Sequence, residues 1–276
     1  MRYLTKYRFL LLRRFTQITV LMLFVVGNYM GFKLLQGDYS NSLVFGKIPL
    51  SDPFALLQLI FAGGKLGLEV ILGAIIISVF YGVIGGRIFC SYVCPVNIIT
   101  DLAAFLHEKI QTNSSKQNSP FLRNIRYYAF LSALILSFFL NISAFEALSP
   151  VGILQREVIF GAGFGITVFL AVFLFDLFVI KNGFCGHICP LGGFYAIIGR
   201  FSFLHVRYSK TKCTKCMKCK IVCPENQVLD FTHNNSRISS GECTRCGRCI
   251  EVCEDDALKF NIKRFVKDKN NENNID

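Results

Sequence analysis

Twelve cysteines stand in this 276-residue chain, and all of them fall in four short motifs. Cys213 to Pro224 reads C-T-K-C-M-K-C-K-I-V-C-P, and Cys243 to Cys253 reads C-T-R-C-G-R-C-I-E-V-C. Both are C-x2-C-x2-C-x3-C. In such a run three thiolates from one tight loop converge on an iron–sulfur cube, and the fourth cysteine of each run serves the other cluster. The spacing therefore predicts two 4Fe–4S clusters, one on Cys213, Cys216, Cys219 and Cys253, the other on Cys243, Cys246, Cys249 and Cys223. A zinc site would separate its C-x2-C pairs by a longer stretch and stop at four ligands. Disulfides would need an oxidising compartment and less crowded cysteines.

The remaining four cysteines form a second repeat. Cys90 and Cys94 lie in F-C-S-Y-V-C-P-V-N, and Cys185 and Cys189 in F-C-G-H-I-C-P-L-G. The offset between the copies is 95 residues at both cysteines. This reads as an internal duplication that presents C-x3-C-P twice on one side of a membrane. Four thiolates make a full ligand set for a metal or a further cluster. They could instead cycle as thiol pairs, although C-x3-C is not the usual redox spacing, or close a purely structural turn. His187, inside the second copy, is a candidate ligand, a quinone hydrogen-bond partner or a loop residue.

These motifs are carried by an unusually apolar chain, 53% hydrophobic with a mean hydropathy of +0.46. That is too apolar for an ordinary soluble domain. Apolar runs at about 15–35, 66–85, 127–148 and 158–180 read as four membrane spans. Five basic residues and no acid precede the first, and the short inner loops carry more Lys and Arg than the outer ones. Both termini are therefore expected in the cytoplasm, in a multi-pass inner-membrane protein. Arg13-Arg14-Phe15 resembles a twin-arginine export signal, but the apolar run is long, no small-residue cleavage site follows, and more spans come later.

The stretch 36–65 reads as loops, with a short apolar segment at 54–62 that packs on helix ends or lies at the outer surface. Glu69, near the outer end of the second span, is either a snorkelling residue or a proton acceptor for quinol. An amphipathic segment covers 98–110, and a polar linker covers 111–120. Residues 202–212 read as a basic connector. The segments after Cys223 and Cys253 each read as a turn followed by a short strand. Residues 263–276 form a charged, Asn-rich tail with the composition of a disordered segment.

The expected organisation is thus an all-α membrane domain of four transmembrane helices over 1–200, a bacterial-type two-cluster ferredoxin-like domain over 201–262, and the tail. The net charge of +12 does not call for nucleic acid. Residues 201–276 carry 14 basic and 10 acidic residues, and two cubes of about −2 each nearly cancel that excess. No G-x-G-x-x-G points to nicotinamide. No C-x2-C-H is present, and His107, His187, His205 and His233 all lie outside the apolar runs, so no haem pair is offered.

The order of spans, paired C-x3-C-P motifs and double ferredoxin motif resembles the NapH family, the ferredoxin-type membrane component of periplasmic nitrate reduction systems. The resemblance covers nearly the whole chain and extends to Asn97, Asp101, Leu102, Phe194 and Tyr195, which follow the two C-x3-C-P motifs. It implies oxidation of menaquinol or ubiquinol and a NapG-type iron–sulfur partner, with electrons passing to a cytochrome and a nitrate reductase. A different reading of the same features is a membrane polyferredoxin that reduces a metal or assists maturation of an oxidase or other metalloenzyme.

Overall fold

A computed structural model describes residues 7–31, 34–110, 120–161, 163, 165–229, 237–238 and 241–262. The expected linker at 111–120 (Pro120 excepted), the tail at 263–276 and His233 lie outside the described residues. Helix α1 (Arg8–Tyr29) leads into a three-stranded antiparallel meander, β1 (Leu35–Gly37), β2 (Asn41–Val44) and β3 (Ile48–Ser51). Helices α2 (Pro53–Phe61), α3 (Leu68–Ile84), α4 (Ile88–Tyr92) and α5 (Val96–Ile110) follow. Then come α6 (Pro120–Leu140), α7 (Ala144–Leu148), α8 (Pro150–Phe160) and α9 (Gly165–Phe178). A π-turn at Phe184–Ile188 and α10 (Pro190–Ile198) complete the helical part.

The meander corrects the all-α expectation. Residues 35–51 are not surface loops: β3 packs onto α3 where Gly73 leaves room, since a Cβ there would lie 2.8 Å from the Ser51 amide nitrogen. Asp52 then caps α2, accepting from the Phe54 amide at 3.3 Å, with Pro53 at the first helical position. The apolar segment at 54–62 therefore turns inward. Phe54 is 1% exposed and meets the rings of Phe130, Phe145 and Phe194 at 5.5, 5.5 and 5.6 Å. Truncating such a side chain costs about 3–5 kcal/mol.

Helices α3, α6 and α9 are also shorter than the spans expected there. Among the described residues one helix, Arg8–Tyr29, is long and apolar enough to cross a bilayer by length and composition; the others are shorter apolar helices. The run at 127–148 breaks after Leu140 into α6 and α7, and that at 158–180 into the end of α8 and the 14-residue α9. At 1.5 Å per residue α9 covers about 21 Å, less than a hydrocarbon core of about 30 Å.

The C-terminal unit is built on β4 (Leu204–Tyr208), which the sequence offered only as a basic connector. Antiparallel partners flank it: β5 (Arg237–Ile238) on one side and β6 (Leu258–Ile262) on the other. The strand after Cys253 is present as β6. After Cys223 the chain makes a 3-10 turn, Asn226–Val228, and the end of the strand expected there, from residue 230, lies outside the described residues. Short helices α11 (Lys218–Ile221) and α12 (Arg248–Glu251) stand in the cysteine runs, and Val206, Leu229, Ile250 and Leu258 form a small core.

The two parts are joined at α1. Glu251 accepts the Phe9 and Leu10 amides at 2.6 and 3.0 Å, satisfying orphan donors at the start of the helix. The Phe9 ring meets Phe260 edge-on at 5.3 Å.

Candidate iron–sulfur and electron-transfer centre

Each ferredoxin run solves the same local problem with the same backbone. A loop that turns three sulfurs inward within seven residues must reverse its curvature twice. Lys215 and Met217 take left-handed conformations at φ 58° and 59°, and Arg245 and Gly247 repeat them at 52° and 79°. Alternating hand in this way turns successive amides toward one point, a geometry suited to anionic sulfur; the Lys215 amide donates to Cys213 Sγ at 3.3 Å. The fourth cysteine comes from the other run. Cys213, Cys216, Cys219 and Cys253 line one cavity of about 370 Å³, while Cys223, Cys243, Cys246 and Cys249 line another of about 20 Å³. The structure thus brings together the two crossed sets.

The two C-x3-C-P copies are likewise built alike. Cys94 N–H donates to Phe89 O at 3.0 Å and Cys189 N–H to Phe184 O at 2.9 Å, an i to i−5 bond in both. Proline follows each second cysteine and starts, or immediately precedes, the next helix, where its missing N–H costs nothing. The side chain of Gln17, fully buried on α1, donates to the Ser91 and Cys94 carbonyls at 2.9 and 3.3 Å and to Asn97 Oδ1 at 3.3 Å. Asp176 holds the second copy by accepting the Phe184 amide at 2.9 Å. All four thiols lie near enough to one another to interact electrostatically. Burial pushes Cys189 up to about 12 and also raises Cys90, Cys94 and Cys185. Thiols so raised are poor nucleophiles at neutral pH, which weakens the thiol-cycling reading. A cationic metal centre offers the missing compensation.

Among the described residues no group of three or more His, Cys, Asp or Glu side chains is drawn together tightly enough for one metal ion. A zinc ion at about 2.3 Å from each sulfur holds its ligands within about 3.8 Å of one another. A cube binds each thiolate to a different iron and needs a wider set. The all-sulfur donor sets and the inward-turned amides fit 4Fe–4S clusters. None of the twelve cysteines is paired in a disulfide.

Between the C-x3-C-P set and the Cys246 loop lies a buried ionic joint that sequence reading missed. Arg87, three residues before Cys90, is 1% exposed and pairs with Glu225 at 2.5 Å. Its guanidinium also reaches the Glu242 carbonyl at 2.8 Å and the Cys185 carbonyl at 3.1 Å. Arg126 grips Glu225 with two hydrogen bonds of 3.1 Å. Burial alone would raise the Glu225 pKa, but the two arginines outweigh it and hold the carboxyl below the usual range. Cys90, Cys185 and Cys246 line one small cavity at this joint. A second knot ties Asp101 on α5 to Arg13 at 3.4 Å, to Arg14 at 2.5 Å, and to Arg248 of the C-terminal unit. Arg13-Arg14 thus hold α1 to the Cys246 loop. The available signal was one of position: each charge lies within a few residues of a cysteine or beside an apolar run.

Of the other candidates, Glu69 is exposed in the first turn of α3, away from the cysteines. His187 is partly buried, its pKa lowered first by burial, and its Nδ1 has no protein partner. His107 is buried, with Nδ1 2.7 Å from the Leu177 carbonyl oxygen.

Comparison with known proteins agrees with this division. The 4Fe-4S binding domain family matches twice, at residues 66–113 and 162–210, one match on each C-x3-C-P unit. The 4Fe-4S dicluster domain family matches residues 205–254. The methylamine utilization ferredoxin-type protein MauN of Methylorubrum extorquens is 42% identical over 79% of this chain and 75% of its own. The ferredoxin-type protein NapH of Escherichia coli is 41% identical over 81% of this chain and 77% of its own. MauN of Paracoccus denitrificans is 39% identical over 82% and 80%. No solved structure matches the chain. With crossed cysteine sets, duplicated C-x3-C-P units and relatives of this likeness, the chain belongs to the NapH and MauN family of ferredoxin-type iron–sulfur electron-transfer proteins.

Proposed function

We propose that this chain is the multi-pass membrane subunit of a quinol-oxidising complex. It takes electrons from menaquinol or ubiquinol and passes them to a soluble NapG-type iron–sulfur protein. The resemblance to NapH implies a cytochrome and a periplasmic nitrate reductase downstream. In this reading Cys213, Cys216, Cys219 and Cys253 hold one 4Fe–4S cluster and Cys243, Cys246, Cys249 and Cys223 the second. Cys90, Cys94, Cys185 and Cys189 hold a further cluster or metal. Bound clusters supply one-electron carriage, splitting the two-electron chemistry of a quinol.

The observation that carries the proposal is the arrangement of three cysteine sets in series. The C-x3-C-P set lies inside the helical part, the Cys246 set adjoins it across the Arg87–Glu225 joint, and the Cys216 set lies beyond, at the surface. The arginines hold the first two sets at a fixed separation. The last is lined by Lys210, Lys215 and Lys220 against one carboxylate, Asp255, a surface suited to an acidic partner. Multi-pass insertion is supported by apolar side chains left uncovered in rows along the helices: Ile166, Leu170, Leu174 and Phe178 on α9, and Leu72, Ile76, Val79 and Val83 on α3. Both ends of the fold lie together at the start of α1, which agrees with an even number of crossings.

A specific observation keeps the second reading, a metal-reducing or maturation polyferredoxin. Likeness to proteins named for methylamine utilization equals that to NapH, so this architecture is not tied to one terminal acceptor. Reconstitution in liposomes tests the proposal. Addition of decylubiquinol or menadiol should produce reduced-cluster EPR signals, and Cys90→Ser or Cys189→Ser should abolish them. Clusters that stay oxidised with quinol, even beside a partner and acceptor, overturn the quinol reading in favour of the second.

A further inference from the structure

The helical part holds a partly open cavity of about 200 Å³ that none of the cysteines lines. It is smaller than a drug-sized pocket of about 300–1,000 Å³, and suits one ring system with its tail leading elsewhere. One wall is the C-x3-C-P region itself, through Phe89, which precedes Cys90, Val93, which precedes Cys94, and Leu191, two residues after Cys189. Another is apolar, from Phe24 on α1 and Ile77 on α3. The meander and α7 form a further wall and bring two carboxylates to it, Asp52 and Glu146.

Resting on the quinol reading above, we infer that this cavity is the quinol headgroup site, with Asp52 and Glu146 as the two proton acceptors. A quinol presents two O–H donors at opposite ends of a flat apolar ring. The cavity offers aromatic faces and two acceptors that arrive from different elements, Asp52 from the β3–α2 junction and Glu146 from α7. Oxidation releases two electrons and two protons. The O–H bonds break and the protons pass to the Asp52 and Glu146 carboxylates, while a cluster held by the neighbouring cysteines would take the two electrons one at a time, handing the first on to the next cysteine set before accepting the second. The ring is left as quinone.

Each carboxylate is held in place by its neighbours. Asp52 accepts from the Tyr195 hydroxyl at 3.3 Å and from the Phe54 amide. Glu146 accepts from the Ser40 hydroxyl and faces Arg156 at 3.9 Å. Burial first, and then the nearby Glu146, raise Asp52 to about 7. A base with that value takes a proton at neutral pH and can release it again. Tyr81 on α3 and Tyr39 beside the meander complete the titratable groups facing the cavity. Tyr195 stacks on Phe89 at 5.2 Å and so joins the Asp52 end to the Cys90 end. The glycine at 86 permits this packing, because a Cβ there would collide with the Tyr195 carbonyl.

The test uses the full chain in nanodiscs and a photoactivatable azidoquinone, with labelled peptides mapped by mass spectrometry. Label is expected on 35–52 and on 143–155. Ile77→Phe, which fills the cavity, should lower labelling at least tenfold with unchanged iron content. Asp52→Asn preserves the helix cap and should leave labelling intact while slowing quinol-driven cluster reduction on the order of 10²-fold, as loss of a general base does. Labelling confined to peptides that do not line the cavity, with quinol still reducing the clusters, overturns this site and leaves the quinol reading standing. Intact rates in Asp52→Asn and Glu146→Gln overturn the proton assignment. Absence of both labelling and reduction removes the quinol reading and this inference with it.

Discussion

The two ferredoxin loops share spacing and backbone but not surroundings. In the Cys213 loop Cys216 is exposed, the cavity is wide, and lysines flank it. In the Cys243 loop Cys246 and Cys249 are 7% and 9% exposed, the cavity is small, and the buried Arg245 lines it. The difference comes from what each loop is packed against. The Cys243 loop is pressed onto the helical part, where Ser91 donates to the Thr244 carbonyl at 3.0 Å and Arg248 reaches Asp101. The Cys213 loop faces outward. One local motif is therefore buried in one copy and open in the other, and tertiary contact alone makes that difference.

The strongest way to break this comparison is to remove cysteines singly. Wild type should contain about eight iron in the C-terminal unit, and Cys253→Ser should lose about four while sparing the Cys246 set. Cys223→Ser should do the converse. Iron analysis with EPR checks this, and loss of the cluster built from the mutated residue's own run would reject the crossed sets.

Next in size is the joint. Glu225→Ala leaves Arg87 and Arg126 buried without their carboxylate, which should cost about 3–5 kcal/mol and expose the Cys243 loop but not the Cys213 loop. Limited proteolysis and thiol labelling read the two loops separately. An unchanged labelling pattern would mean that the joint does not hold the units together.

The same joint has a pH signature. The folded Glu225 pKa is depressed, so its contribution to stability is present above the unfolded value of about 4.3 and is lost as pH falls through the lower folded value. The gap in Tm between wild type and Glu225→Gln should be widest near neutrality and close below about pH 4. A gap independent of pH would assign the effect to shape rather than charge.

Smaller still is the effect of hand. Met217 holds in the left-handed region the place that Gly247 holds in the other loop. Met217→Gly should therefore stabilise by roughly 0.5–1 kcal/mol, seen as a raised denaturation midpoint. Destabilisation would show that the Met217 side chain contributes packing that outweighs its strain.

Much of the site was legible because it is local. A C-x2-C-x2-C-x3-C run dictates a tight loop whatever surrounds it, and the constant 95-residue offset showed two like C-x3-C-P units before any fold was known. β6 was readable from its apolar pattern after Cys253. β4 was not, because His205, Arg207 and neighbouring basic residues hid a strand whose alternation is set by pairing with β6. The meander was hidden likewise. Its strands are three and four residues long, too short to show a period, and are defined by cross-strand bonds and by the space at Gly73.

What the sequence alone determined is the placing of twelve cysteines in two ferredoxin runs and two C-x3-C-P pairs, together with the apolar character of the part that carries the pairs. Spacing within a few residues and composition are sufficient for both. Which charges neutralise one another, which loop is buried, and which carboxylates meet a cavity were decided only by the tertiary structure. Arg87 meets Glu225 across 138 positions of chain and Asp52 meets Tyr195 across 143. Such pairings follow from how helices and strands pack, and no local pattern encodes them.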